Sequence, residues 1–231
     1  MINILCYDIS KINQREYDIM YSWCSDTRKE KINRYYHEDD RKRSVCAHVM
    51  MKYAWLDSGR RAEKLSVCYN KYGKPYIEND QNFHFNISHS GKWVVVAYGT
   101  SSIGVDIERI DDNYQDILDC LGEGKGKDYI LKATSETELS RRIIHLWTLK
   151  ESYVKFLGTG LFTELGSFDI DISDENILIN GSGQVEKAIC LESQIFDRFY
   201  YLSICSLEKT IDIRTVDFCD IYKNELLHCK R

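Results

Sequence analysis

The sequence predicts an α+β fold, and three observations carry that prediction. Helical periodicity is sustained over two long stretches, residues 37–57 and 136–157. Short apolar or alternating runs of strand length occupy residues 1–8, 83–88, 93–98 and 103–107. The two kinds of element follow one another without the regular βαβ rhythm of a parallel α/β sheet.

Taken in order, Met1 to Asp8 reads as a first strand; it has neither the charged start nor the long apolar stretch of a signal peptide. In residues 37–57, Val45, Val49, Tyr53 and Leu56 recur at three- and four-residue steps, and Gly59 supplies a stop. Tyr72-Gly73-Lys74-Pro75 is a turn signal and contains the single proline of the chain. Residues 83–88 read as a strand. Trp93-Val94-Val95-Val96-Ala97-Tyr98 is an unbroken apolar run, as expected for a strand buried on both faces. Residues 103–107 follow after a short polar turn, so a hairpin with the preceding strand is expected. The pattern weakens over residues 111–135, where Gly122-Glu123-Gly124-Lys125-Gly126-Lys127 reads as a mobile loop. A second long helix covers residues 136–157 and is ended by Gly158. Further strands are expected at 167–172, 177–179, 185–191 and 199–204. A division near residue 105 separates an N-terminal half, 1–104, from a C-terminal half, 105–231.

The bulk properties narrow the function. A chain of 231 residues with 43% hydrophobic content can build a real core. The net charge is 31 − 36 = −5, so no overall basic field invites nucleic acid, and an anionic ligand needs a local cluster of Lys and Arg. No run approaches the length of a membrane-spanning helix. Nine cysteines at irregular spacing, without a Cys-x-x-Cys pair, read as reduced thiols. The cytoplasm is the expected location, with neither nucleic acid nor membrane as partner.

Two segments carry chemistry. In Ile103-Gly104-Val105-Asp106-Ile107-Glu108, strand alternation puts Asp106 and Glu108 on one face and the apolar residues on the other. Paired carboxylates suit a hard cation such as Mg²⁺, although an edge strand with a polar face has the same pattern. In Trp147-Thr148-Leu149-Lys150-Glu151-Ser152-Tyr153-Val154-Lys155, residues 147, 151 and 155 share a helical face. A buried Trp beside an exposed Glu-to-Lys pair would look the same. A third segment, Asn86-Ile87-Ser88-His89-Ser90, offers a hydroxyl and an imidazole that a tight turn could aim at phosphate. It is no hydrolase triad, because no Gly-x-Ser-x-Gly elbow accompanies it. A Gly-x-x-x-x-Gly-Lys-(Ser/Thr) phosphate loop is also missing.

Together these segments resemble the 4′-phosphopantetheinyl transferase family, in its surfactin-synthetase-activating (Sfp) type. The family pattern is Gly-x-Asp, about forty residues, then Trp-x-x-Lys-Glu-(Ala/Ser)-x-x-Lys. Here it is Gly104-Val105-Asp106 and Trp147 through Lys155, with a gap of 147 − 106 = 41. Phe85 through Ser90, Tyr72-Gly73-Lys74-Pro75 and the basic region of Arg28, Lys31 and Arg43 also match, so the likeness spans residues 1 to 205. It implies two similar α+β halves related by a pseudo-two-fold axis, with the active site in the cleft between them. It implies a monomer that transfers 4′-phosphopantetheine from coenzyme A to a serine of an apo acyl or peptidyl carrier protein, releasing adenosine 3′,5′-bisphosphate.

By the same likeness, Asp106, Glu108 and Glu151 would hold Mg²⁺ against the pyrophosphate. His89 and Lys155 would contact the pyrophosphate, Ser88 and Lys74 would position the coenzyme, and Arg28, Lys31 and Arg43 would neutralise the 3′-phosphate. Glu151 is the expected base, directly or through a metal-bound water. Arg28 stands where Lys is often found, and a planar guanidinium meets phosphate differently. The chain departs from the family between 111 and 135, where a Phe-Phe-rich segment and an acidic residue are usual; Glu123 is the candidate acid. That departure motivates an alternative, a module that binds coenzyme A or a carrier protein without chemistry. An unrelated Mg²⁺-dependent nucleotidyl or phosphoryl transferase is a third reading.

Overall fold

Alternating and periodic segments become the following elements, in chain order. They are β1 (Ile2–Asp8), α1 (Gln14–Ser22), α2 (Asp26–Asn33), α3 (Glu38–Asp57), β2 (Val67–Tyr69), β3 (Pro75–Ile77), β4 (His84–Ser90), β5 (Trp93–Gly99), β6 (Ile103–Arg109), α4 (Gln115–Cys120), α5 (Lys125–Leu131), α6 (Glu136–Leu157), β7 (Asp169–Ile172), β8 (Ile177–Asn180), β9 (Cys190–Phe196), β10 (Tyr200–Ser206), β11 (Ile211–Thr215) and α7 (Phe218–Cys229). The computed structural model describes residues 1–111, 114–173, 177–180, 189–209 and 211–229. The fold is α+β, as expected. Among the described residues no helix is long and apolar enough to cross a membrane.

The chain forms two compact units, one of Met1–Cys68, Tyr76–Thr100 and Thr210–Arg231, the other of Tyr69–Pro75 and Ser101–Lys209. A single cut at 104/105 does not describe this arrangement, because the last residues return to the first unit and a short turn segment joins the second.

In the first unit the sheet order is β11-β1-β5-β4. The run Trp93 to Gly99 is buried at every position, because antiparallel neighbours β1 and β4 occupy both its edges. The expected hairpin between β5 and β6 is therefore replaced. With both edges of β5 taken, β6 pairs with β10 in a different sheet. The long helix α3 packs on β5 and contributes Val49, Met50, Trp55 and Leu56 to a core shared with Leu5, Val94 and Val96. β11 returns parallel to β1. Helix α7, which also escaped the sequence reading, is tied to α3 by an ion pair between Lys52 and Glu225.

In the second unit an antiparallel sheet of order β6-β10-β9 is covered by α6. Helix α6 starts on an N-cap, Ser135, whose hydroxyl accepts from Glu138 N–H. It ends on Gly158 at φ 73°, a left-handed position that suits glycine. The stretch expected as a loop at 122–127 is partly helical, and α5 begins inside it. Its first amides are held from a distance: Lys125 N and Gly126 N donate to the Asp169 carboxylate at 2.8 and 3.0 Å. No local periodicity could reveal that cap, since its acceptor lies 44 residues downstream. The strand expected at 185–191 begins later, at Cys190, and residues 185–188 of that expectation lie outside the described residues. Eight of the nine cysteines stand as free thiols, four of them buried.

One contact sets how close α6 comes to the sheet. A Cβ placed on Gly104 would stand 1.9 Å from Ser152 O and 2.4 Å from Phe156 N. The helix backbone thus rests on the strand backbone, and only a residue without a side chain permits it. Gly104→Ala is expected to lower stability by about 3 kcal/mol, at the upper end of overpacking costs because the clash is with backbone that cannot rotate away. Urea denaturation of both proteins checks this; an unchanged midpoint would mean that α6 does not rest on β6.

Candidate active site

The face of β6 that carries Gly104 also carries Asp106 and Glu108, two and four residues on. Asp106 lies across the ladder from Ser203, and Glu108 from Tyr201. Because α6 sits on this face, Asp106 is only 2% exposed. An isolated buried carboxylate would be costly. Here Lys155, in the last turn of α6, brings its ammonium 2.5 Å from Asp106 Oδ1. The sequence suggested a Lys155–Glu151 pair along the helix; the structure sends Lys155 across to the strand.

Glu151 stands one turn earlier on the same helical face. Burial pushes its carboxyl above the usual range, the negative charge of Asp106 pushes the same way, and Lys155 opposes both. Trp147, Glu151, Val154 and Lys155 line one cavity of 540 Å³ with Asp119, Gly122, Gly160 and residues 163–166. The three motif residues 147, 151 and 155 therefore do share a face, and that face opens on a cavity. Among the described residues no three of His, Cys, Asp and Glu already stand as a ligand set for a metal ion.

Two lysines near this site donate to backbone carbonyls. Lys150 is 1% exposed and donates to Leu165 O at 2.7 Å and to Phe168 O. Burial pulls its ammonium down to about 8. It fastens the segment after α6 that lines the cavity. The sequence reading passed over Lys150, although a lysine at a core-facing helical position, between Leu146 and Tyr153, is a signal that it serves something inside. Lys74, expected at the coenzyme, is the second. Its ammonium donates to Ile103 O at 3.1 Å and to the carbonyls of Lys155 and Phe156. Glu123 forms an ion pair with Lys127 on an exposed surface, and Asp119 is the carboxylate of this stretch that lines the cavity.

The remaining expected residues lie in the first unit. Arg28 on α2 donates from Nη2 to Ser44 O at 2.8 Å, while its Nε is buried without a hydrogen-bond partner. Arg43 on α3 binds Asp40 at 2.6 Å and Gly91 O. That hydrogen bond holds the Asp40 carboxyl below its usual range, and the charge of His89 acts in the same direction. Arg28, Arg43 and His89 are thus gathered about the first half of α3. Lys31 lies three residues after Arg28 on α2, exposed to solvent. The expected tight turn at Ser88-His89 is instead the end of strand β4, paired with Val95 and Val94. Alternation buries Ser88 and exposes His89. The turn itself falls at Gly91-Lys92, where Gly91 has φ 52°, because the strand pairs through Ser90 with Trp93.

Comparison with known proteins points to one family. Residues 11–101 match the family described as 4′-phosphopantetheinyl transferase, N-terminal. Residues 102–205 match the 4′-phosphopantetheinyl transferase superfamily. A 4′-phosphopantetheinyl transferase of Bacillus subtilis is 30% identical over 207 residues, covering 89% of this chain and 88% of that protein. The 4′-phosphopantetheinyl transferase gsp of Aneurinibacillus migulanus is 30% identical over 214 residues, covering 91% and 88%. A human L-aminoadipate-semialdehyde dehydrogenase-phosphopantetheinyl transferase is 25% identical over 205 residues, covering 76% and 64%.

The Asp106–Lys155 pair is asymmetric, since Asp106 is the more deeply buried partner. Lys155→Met strands a charge in the interior and is expected to cost about 3 kcal/mol. Asp106→Asn leaves an ammonium that water can reach and is expected to cost about 1 kcal/mol or less. Chemical denaturation of the two variants at neutral pH measures the difference, and equal losses would contradict the asymmetry.

Proposed function

This chain belongs to the 4′-phosphopantetheinyl transferase superfamily and is an enzyme of that type, and on that premise we propose that it moves the 4′-phosphopantetheine arm of coenzyme A onto a serine hydroxyl of an apo acyl or peptidyl carrier protein. Adenosine 3′,5′-bisphosphate is the other product. The observation that carries this reading is the grouping of Asp106, Lys155 and Glu151 beside a cavity lined by Trp147.

The chemistry asks for three things: an acceptor for the serine proton, positive charge for the phosphates, and an in-line approach. Glu151 meets the first. Burial and the neighbouring Asp106 raise its proton affinity, and a carboxylate so raised is a better base near neutral pH. As the serine oxygen bonds to the β-phosphorus, its proton passes to Glu151. The bridging P–O bond breaks, and the electron pair leaves with adenosine 3′,5′-bisphosphate. Lys155 meets the second need at the pyrophosphate, and His89 is assigned there too. Arg28, Lys31 and Arg43 are assigned to the 3′-phosphate and Ser88 to positioning the coenzyme; the buried, unpartnered Nε of Arg28 supports an anion nearby.

Asp106, Glu108 and Glu151 are proposed to hold Mg²⁺. The fit rests on donor chemistry: Asp106 and Glu151 are hard oxygen donors, close enough that the charge of Asp106 raises the proton affinity of Glu151, and Glu108 shares the face of Asp106. When bound, the ion would neutralise charge on the pyrophosphate as a Lewis acid.

Intact-mass measurement of an apo carrier protein incubated with the enzyme, coenzyme A and Mg²⁺ tests the proposal. The carrier should gain the mass of one phosphopantetheinyl group, and EDTA should abolish the gain until Mg²⁺ is returned in excess. Asp106→Ala and Glu151→Ala should each lower turnover by about 10²-fold or more while circular dichroism stays that of the folded protein. Near-normal turnover in either variant removes that residue from the mechanism. Unshifted mass across several carriers, with coenzyme A still bound, would instead favour a binding module.

A further inference from the structure

Every α-helix leaves its last carbonyls without partners inside the helix. In α6 the residues at stake are also those next to the chemistry, because Lys155 lies in the last turn. Gly158 N–H takes Val154 O. The next carbonyls, of Lys155 and Phe156, both receive hydrogen bonds from the ammonium of Lys74. Its third bond goes to Ile103 O at 3.1 Å, at the start of the strand that carries Asp106. One ammonium has three donors, and here all three go to backbone carbonyls at the junction of β6 and α6.

The rest of the turn is built to hold that ammonium. Asn70 Oδ1 accepts from Tyr72 N and Lys74 N, each at 2.9 Å. Asn70 Nδ2 donates to Gly158 O at 2.9 Å. The aliphatic stem of Lys74 lies on Gly158, where an added Cβ would stand 3.0 Å from Lys74 Cδ. A cation at a helix C-terminus is also favoured by the peptide dipoles.

We propose that Lys74 is a positioning residue: its ammonium caps the C-terminus of α6 and locks it to the start of β6, which fixes Lys155 against Asp106. The likeness of Tyr72-Gly73-Lys74-Pro75 to a coenzyme-contacting motif thus acquires a different physical content. The turn acts on the reaction through the helix end. The kinetic part of this inference rests on the transferase reading; the capping part does not.

Two measurements need no turnover. In Lys74→Met, amides of the last turn of α6 should exchange with deuterium about tenfold faster or more, because a capping contribution is removed. In the wild-type protein, acetylation by an activated ester, read by mass spectrometry, should modify Lys74 about tenfold more slowly than the exposed Lys71, and coenzyme A should not change that ratio. The third measurement is kinetic. Lys74→Met should lower kcat by about tenfold with KM for coenzyme A within about twofold, the signature of a misplaced group instead of a lost ligand contact. A raised KM at unchanged kcat, or Lys74 acetylated as fast as Lys71 until coenzyme A protects it, would overturn the proposal in favour of direct phosphate contact. If Lys74→Met does not fold, the acetylation ratio in the wild-type protein decides. If no carrier is modified by the wild-type enzyme, the transferase reading fails, while exchange and acetylation still judge the cap.

Discussion

The approach of α6 to β6 at Gly104 is the constraint on which the second unit depends. A helix that rests on the strand backbone is closer to the sheet than side chains would allow. That distance lets an ammonium at residue 155 reach a carboxylate at residue 106. It also makes Asp106 a buried charge, which must be paired to be tolerated. The Gly-x-Asp motif therefore states two coupled requirements, a missing side chain and an acid two residues later on the same face.

Once the helix is seated, backbone carbonyls at its C-terminal end and in the segment after it explain two of the nearby lysines. Lys150 and Lys74 both carry ammonium groups pulled down to about 8 by burial, and both donate to backbone. Lys155 meets a carboxylate instead. Three residues of one type thus hold a loop, a helix end and the candidate chemistry. The polar pair Thr148 and Ser203, 2.8 Å apart, adds a buried hydrogen bond between α6 and β10.

Much of the fold was legible. Both long helices, the buried β5 and the strand β6 lie where periodicity puts them, because each buries a face large enough to impress its period on the sequence. What escaped has identifiable causes. Helix α2 has one buried residue among eight, so no apolar stripe announces it. Helix α1 is nearly as exposed, although its capping box at Asn13 and Glu16 was a readable signal. The start of α5 depends on Asp169, far along the chain. The pairing of β6 with β10 could not be inferred either, because a strand's sequence does not say which edge receives it.

For the candidate site, the inventory is legible in the sequence: which acids share a strand face, which residues share a helical face, and which family the combination matches. These follow from period 2 and period 3.6, which are local properties of the backbone. The assignments among like residues come from packing. Lys74, Lys150 and Lys155 are the same chemical group, and their roles differ because one packs against a helix end, one under a loop and one beside a buried acid. Those neighbours come from residues far apart in the chain, and side-chain chemistry alone cannot rank them.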